Sequence, residues 1–202
     1  MIGQEGDGLE HASAVGAASD RTEVPSDDAL VAAALVDPDV FGSLYIRHRM
    51  ALFRFVRARA TDDESAADIV ATTFERAIAA LPRYRPAGAG FRAWLFRIAR
   101  NETINIGRRT RTFHRRLAKL QRIDDRHPSP EDAIVAAEDA ALVRELVAAL
   151  PPVQRDALLL RYAGGLSTSE IAVVIGRSEA AAQKLISRGL AMVREEYRAT
   201  DG

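Results

Sequence analysis

Arg83, Arg85, Arg92, Arg97, Arg100, Arg108 and Arg109 crowd into residues 83–109. A guanidinium is planar, permanently charged and forked, so its chemistry is recognition of carboxylate and phosphate rather than bond-making. A second group follows near the C-terminus: Ser178, Ala180, Gln183, Lys184, Ser187 and Arg188. Their spacing puts small and polar side chains on one helical face with a base at its centre, which suits a helix lying in a DNA major groove. Bases number 28, only Lys119 and Lys184 being lysine, and acids also number 28, so the formal net charge is zero. The zero hides segregation. Residues 1–30 carry seven acids against Arg21 alone, while residues 83–126 carry thirteen bases against Glu102, Asp124 and Asp125. So basic a middle stretch points to a polyanion partner.

Other chemistry finds few residues to use. The chain has no cysteine, which excludes disulfides and thiolate metal sites and suits a reducing compartment. His11, His48, His114 and His127 lack metal-ligand spacing. Gly88 and Gly90 are followed by no Gly-Lys-Ser/Thr and so make no phosphate loop. Asp62, Asp63, Glu64 and Asp68 open a helix, where carboxylates favour the positive end of its dipole. No metal, cofactor or enzymatic activity is expected.

These groups need helices to position them. Apolar residues make up 48% of the 202, enough for packed cores. No run approaches the roughly 18 apolar residues of a membrane span, and the N-terminus lacks the basic-then-apolar layout of a secretory leader. Residues 1–27 are rich in Gly, Ala, Ser and acids without apolar periodicity, which predicts a disordered acidic tail. Asp37-Pro38 then reads as a cap followed by proline, opening a helix with Phe41, Leu44, Tyr45, His48, Leu52, Phe53 and Val56 inward. "DESAADIVATTFERAIAAL" puts Ile69, Val70, Thr73, Ala77, Ile78 and Leu81 on one stripe. "PRYRPAGAG" is a loop, and "FRAWLFRIARNETINI" a helix burying Phe91, Trp94, Leu95 and Ile98. For Trp94 that spacing fits core better than an exposed base platform.

Beyond a basic, proline-bearing stretch, helical periodicity resumes with Leu142, Val143, Leu146, Val147 and Leu150, and again with Leu158, Leu159 and Tyr162. "STSEIAVVIGRSEAAAQKLISRGL" is the informative segment. Ser167 with Glu170 forms a capping box, Gly176 suits a sharp turn needing positive φ, and Ser178 caps a second helix. Ala172 is small where that helix must approach, and Ala182, Ile186, Gly189 and Val193 face inward. The pattern is a helix-turn-helix. The predicted fold is therefore all-α: two small helical domains, 28–110 and 134–200, joined by a flexible linker over 111–133. That linker predicts a loose relative orientation.

Two motif sets resemble one family. "LPPVQRDALLLRYAGGLSTSEIAVVIGRSEAAAQKLISRGLAMVRE" is similar to the promoter-binding region 4 of RNA polymerase sigma factors. "FGSLYIRHRMALFRFVRARATDDESAADIVATTFERAIAALPRYRPAGAGFRAWLFRIARNETINIGRR" resembles region 2 of their extracytoplasmic-function class. The resemblance implies a cytoplasmic factor that binds core RNA polymerase, double-stranded promoter DNA and a melted single strand, with no catalysis of its own and no membrane insertion. An anti-sigma factor is a further partner that many members have, although no residue here demonstrates one. Asp68, Ile69, Val70, Thr73 and Phe74 match the helix that docks on polymerase, with Ala71 and Thr72 replacing a usual polar pair. Arg83, Arg85, Phe91, Arg97, Arg100, Asn101, Arg108 and Arg109 match the element for −10 recognition and melting, with Asn105 replacing a usual aspartate. Ser178, Ala180, Gln183, Lys184, Ser187 and Arg188 match the −35 reading helix, in which Gln183, Lys184 and Leu185 depart from the frequent residues.

The residues alone leave two other readings open. A DNA-binding regulator with an N-terminal sensor domain would bind DNA without polymerase. A helical adaptor would use its arginines on an acidic protein, but gives no reason for a capped helix-turn-helix beside a separate arginine cluster.

Overall fold

A computed structural model describes residues 24–86, 88–117 and 134–200, the side chains of 107–117 and 134–139 excepted. Among the described residues there are eight α-helices and no strand. The N-terminal domain contains α1 (Asp27–Ala34), α2 (Phe41–Arg57), α3 (Asp63–Ala80) and α4 (Gly90–Leu117). The C-terminal domain contains α5 (Ile134–Ala149), α6 (Pro152–Tyr162), α7 (Thr168–Ile175) and α8 (Glu179–Thr200). Residues 111–117 of the expected linker continue α4, and its remainder lies outside the described residues.

The end of the expected acidic tail is part of the N-terminal fold. Ser26 caps α1 by accepting from the Ala29 amide at 3.2 Å, and α1 buries Leu30, Val31 and Ala34. The Asp27 carboxylate accepts from Arg47 Nη1 and pairs with His48 Nε2, both at 2.7 Å. Burial pushes that carboxyl up, but hydrogen bonds and charge from His48 and Arg47 outweigh it and hold the group below its ordinary value. Tyr84 Oη donates to Asp28 at 3.2 Å, and burial together with the Asp28 charge pushes the phenol up to about 12. The disorder expected of residues 1–23 lies outside the described residues.

Aromatic rings build the centre of this domain. Asp37 caps a 3-10 turn at Pro38–Val40, which delivers Phe41 to the start of α2. Phe91 is fully buried, with ring centroids 6.4 Å from Phe41, 5.8 Å from Tyr84, 5.5 Å from Trp94 and 5.9 Å from His48. Edge-to-face and tilted pairs at such distances add to the gain from burial. Trp94 is half-buried beside Tyr84 and Phe91, as its spacing suggested. Asp62 caps α3 through the Ser65 amide. Periodicity misplaced some residues: Tyr45 and Ile78 are exposed, while Phe55 and Phe96 are fully buried and pair at 5.6 Å.

In the C-terminal domain α6, α7 and α5 all pack on α8. Gly189 makes the α6–α8 crossing close, since a Cβ there would lie 2.8 Å from Leu158 Cδ1. α6 turns Leu158 toward that crossing and leaves Tyr162 exposed, contrary to the expected stripe. The reason is that α6 is covered on two sides. Asp156, one turn from Leu160, is buried by Arg59 and Arg100 of the N-terminal domain.

The two domains thus pack on each other, where linker composition predicts a loose orientation. α4 lies directly on α7. Gly164 makes the close approach: a Cβ there would sit 2.8 Å from Phe96 Cε1. Linker polarity reports on the linker alone, whereas orientation here is set by buried ion pairs and apolar packing between the domains.

Phe91→Ala should destabilise the N-terminal domain by about 3–5 kcal/mol, as expected for removing a fully buried ring. Phe91→Leu, which retains most of the apolar volume, should cost far less. Chemical denaturation of both variants measures the difference.

Candidate nucleic-acid interface

The helix-turn-helix forms because each terminus has its hydrogen bonds supplied locally. Ser167 Oγ accepts from the Glu170 amide at 3.2 Å, and Glu170 Oε2 accepts from the Ser167 amide at 2.7 Å. α7 ends at Gly176, whose φ of 65° is left-handed. The Arg177 amide then bonds back to the Ala172 carbonyl at 2.9 Å, closing a Schellman turn. Ser178 Oγ accepts from the Ala181 amide at 3.2 Å and starts α8. Ile171, Ala172, Val174, Ala182, Ile186 and Gly189 are buried beneath, with Val193 half-buried.

That packing turns the opposite face of α8 to solvent. Ser178, Ala180, Gln183, Lys184, Ser187 and Arg188 are all exposed. Thr168 Oγ1 donates to Gln183 Oε1 at 3.3 Å, which aims the amide across the turn from α7. Arg177 stands exposed in the turn itself, a base that helix-face reasoning overlooks because it belongs to neither helix. Exposed amide, hydroxyl and cationic groups in this array can bond base edges and phosphates.

The residues proposed for −10 recognition are divided by the structure. Arg83, Arg85, Arg97 and Asn101 are exposed. Arg85 Nη1 donates to the Tyr84 carbonyl at 3.0 Å, which folds it over the loop. Phe91 is the correction: its ring is wholly enclosed in the aromatic centre and offers no face to a base. Arg108 and Arg109 lie on α4 where side chains are outside the described residues. Arg100 points at the other domain, where its Nε donates to Asp156 Oδ2 at 2.5 Å.

Arg59 joins it there, donating from Nη2 to Asp156 Oδ1 at 2.6 Å. Burial lowers the Arg59 guanidinium from its ordinary value, and the Asp156 charge works against that shift. Arg92 Nη2 donates to the Gly164 carbonyl at 2.7 Å, with Nη1 3.8 Å from Glu170 Oε2. Arg59 sits outside the arginine-rich segment, so a charge count along the chain does not pick it out.

On α3 the motif residues separate in the same way. Ile69, Val70, Thr73 and Phe74 are buried in the domain core, and Thr73 Oγ1 donates to the Ile69 carbonyl at 2.7 Å. They hold the helix and cannot themselves touch a partner. Asp68 is exposed, and Ala71, Glu75 and Ile78 continue its face at helical spacing.

A helix-turn-helix with an exposed polar face, together with a bundle whose exposed arginines flank a loop, is the arrangement of a DNA-binding transcription factor. Residues 44–113 match the family model described as Sigma-70 region 2, and residues 140–193 the one described as Sigma-70, region 4. The chain is 30% identical over 177 residues to the ECF RNA polymerase sigma factor SigD of Mycobacterium tuberculosis, spanning 84% of this chain and 82% of SigD. It is 30% identical over 156 residues to the ECF RNA polymerase sigma factor BldN of Streptomyces coelicolor, spanning 76% of this chain and 59% of BldN. The solved structure of CnrH in complex with the cytosolic domain of CnrY matches with a TM-score of 0.63 at 29% identity, over 86% of this chain and 97% of CnrH. The chain belongs to the ECF RNA polymerase sigma factors, which serve promoter-specific transcription initiation. No described helix is long and apolar enough to cross a membrane.

Lys184→Ala should weaken duplex binding without unfolding the domain, because an exposed helical alanine carries no propensity penalty. If Lys184 reads a base, the loss is about 1–3 kcal/mol at one base pair. If it holds only phosphate, all sequences weaken alike and the salt slope falls by about one. Ile186→Ala should instead destabilise by about 2–5 kcal/mol. Affinity over a salt series and thermal melts of both variants check which face of α8 is outward.

Proposed function

We propose that α8 reads the −35 element of a promoter through Gln183, Lys184, Ser187 and Arg188, with Ser178 and Ala180 at its entry and Arg177 on the backbone. The observation that carries this is the outward presentation of that face in a helix-turn-helix whose opposite face is buried. Arg83, Arg85, Arg97 and Asn101 serve the −10 element, where cations must hold two backbones while strands separate. Arginine suits that task, since its fork makes bidentate phosphate contacts. The domains then divide the work as residues 28–110 and 134–200, with the first described helix of the former capped by Ser26. Arg108 and Arg109 belong to the same basic helix and complete its charge.

Docking on core polymerase falls to the exposed stripe of α3 led by Asp68, with Ile69, Val70, Thr73 and Phe74 acting as its support from within. The chain itself catalyses nothing. It supplies binding energy and geometry to polymerase in the cytoplasm. CnrH is held by the cytosolic domain of CnrY in its solved structure, which supports an anti-sigma factor as a further partner for this chain.

Asp68→Arg should reduce co-purification with core polymerase and promoter-dependent transcription, with duplex binding by the C-terminal domain unchanged. Wild-type transcription by a folded Asp68→Arg protein would remove α3 from the docking surface.

A further inference from the structure

Four arginines of the N-terminal domain are engaged by acceptors of the C-terminal domain. Arg54 Nε donates to the Ala163 carbonyl at 3.3 Å, and Arg92 Nη2 to the Gly164 carbonyl at 2.7 Å. Arg59 and Arg100 converge on the two oxygens of Asp156, whose side chain is only 6% exposed. Arg59 leaves the end of α2 and Arg100 stands on α4, so one carboxylate bridges cations from two elements. The match is incomplete. Arg59 Nε is buried without a hydrogen-bond partner among the described residues. Beside the pair opens a cleft of about 760 Å³, lined also by Arg57, Arg144 and Arg155.

A carboxylate between two guanidiniums, with one donor left over, has the chemistry of a phosphate site filled by a smaller anion. A phosphodiester presents two charged oxygens along with ester oxygens, and it pairs with forked guanidinium donors as a carboxylate does. Arg100 is also one residue from exposed Asn101 and three from exposed Arg97, on the helix assigned above to the −10 element. We propose that Arg59 and Arg100 form a binding site for a backbone phosphate of the promoter strand, and that Asp156 occupies this site in the closed chain. The inference rests on the functional reading above and adds to it a competition between the two halves of the chain and DNA.

Dimensions require the site to be vacated. The −35 and −10 elements lie more than two turns of duplex apart, about 70 Å at about 35 Å per turn. In the closed chain α8 packs on α7 and α7 on α4, so the two reading helices are separated by about two interhelical spacings of 8–10 Å. Both elements can be read at once only after α6 and α7 leave α4. Leaving them frees Arg54, Arg59, Arg92 and Arg100 together, so opening adds cations to the face that meets the strand.

The test is Asp156→Asn in the full chain, which removes the charge and keeps the shape. Small-angle scattering should show an expanded particle. Binding of a short single-stranded oligonucleotide should tighten at low salt, with log K against log salt steeper than wild type by about 0.7, the contribution of the one phosphate the site holds. Adding Arg59→Gln on that background should abolish the increase, because the site needs both guanidiniums. A particle that stays compact with an unchanged slope overturns the proposal, and so does one that expands without steepening. Binding of the −35 duplex separates the two readings. If Asp156→Asn opens and binds that duplex but gains no slope on the strand, the phosphate site alone fails. If neither wild type nor variant binds duplex or strand, both readings fail. Should Asp156→Asn not fold, Arg59→Gln alone must expand the particle without steepening the slope, and a compact Arg59→Gln protein overturns the latch.

Discussion

Asp156 sits on α6 with its carboxylate almost wholly removed from water, and much of the molecule's arrangement follows from where its partners come from. Taking a carboxylate out of water costs several kcal/mol, recovered only if cations are placed around it with good geometry. Both cations belong to the other domain. The ionic arrangement is therefore complete only while the two halves are together. Apart from them, Asp156 regains water on the surface of α6 and the arginines regain it at the end of α2 and on α4. Because each side rehydrates on separation, the pair fixes orientation strongly while contributing little net stability. Beside the ion pair, α4 packs on α7 and Phe96 lies against Gly164, so apolar packing joins the ionic contact in holding the domains together.

The helices around this interface each serve two sides, and their inner sides do the positioning. α3 holds Ile69, Val70, Thr73 and Phe74 against α2 and α4, which turns Asp68 and Glu75 outward. α4 anchors through Phe91, Leu95 and Ala99, all fully buried, and that leaves Arg97 and Asn101 on the exposed side. α8 anchors through Ala182, Ile186 and Gly189. Since rotation of any of these helices by one residue would move every outward group by about 100°, core packing is what gives the exposed residues their aim.

Much of this was legible in the chain, because local rules decide it. The capping box at Ser167 and Glu170, the positive φ at Gly176 and the inward set Ala182, Ile186 and Gly189 are all consequences of residues within one or two turns of each other. The resemblance to a family carried function further, but it carried positions without saying which way they face. Phe91 and four of the five α3 residues match motifs because they hold the helices in place. Periodicity could have separated them, since Ile69, Val70 and Thr73 are one stripe and Asp68 is off it. What no local rule reaches is a pairing across 97 positions, as between Arg59 and Asp156. An aspartate in "VQRDALLLRY" reads as an ordinary solvated helix residue until the other domain is present.

The charge segregation of the chain takes on a different meaning once Asp27 and Asp28 are located. Both belong to the acid-rich first thirty residues, yet they are ligands of the first domain: Asp27 for Arg47 and His48, Asp28 for Tyr84. The α1 helix they begin lies over α2 and α4, where Leu30, Val31 and Ala34 complete the core. Tyr84 in turn touches Phe91 and Trp94 and ends the turn that starts the Arg83–Arg85 loop. So an acid at the start of α1 steadies, through one phenol, the loop that carries two of the exposed arginines. The same arrangement of acid against base recurs at Asp156 with a different outcome. At α1 the acids hold groups of their own domain. At Asp156 the acid holds arginines that have a second use, and sequence position alone does not distinguish the two. What distinguishes them is geometry: Asp27 and Asp28 bind within one domain, whereas Asp156 reaches across to another.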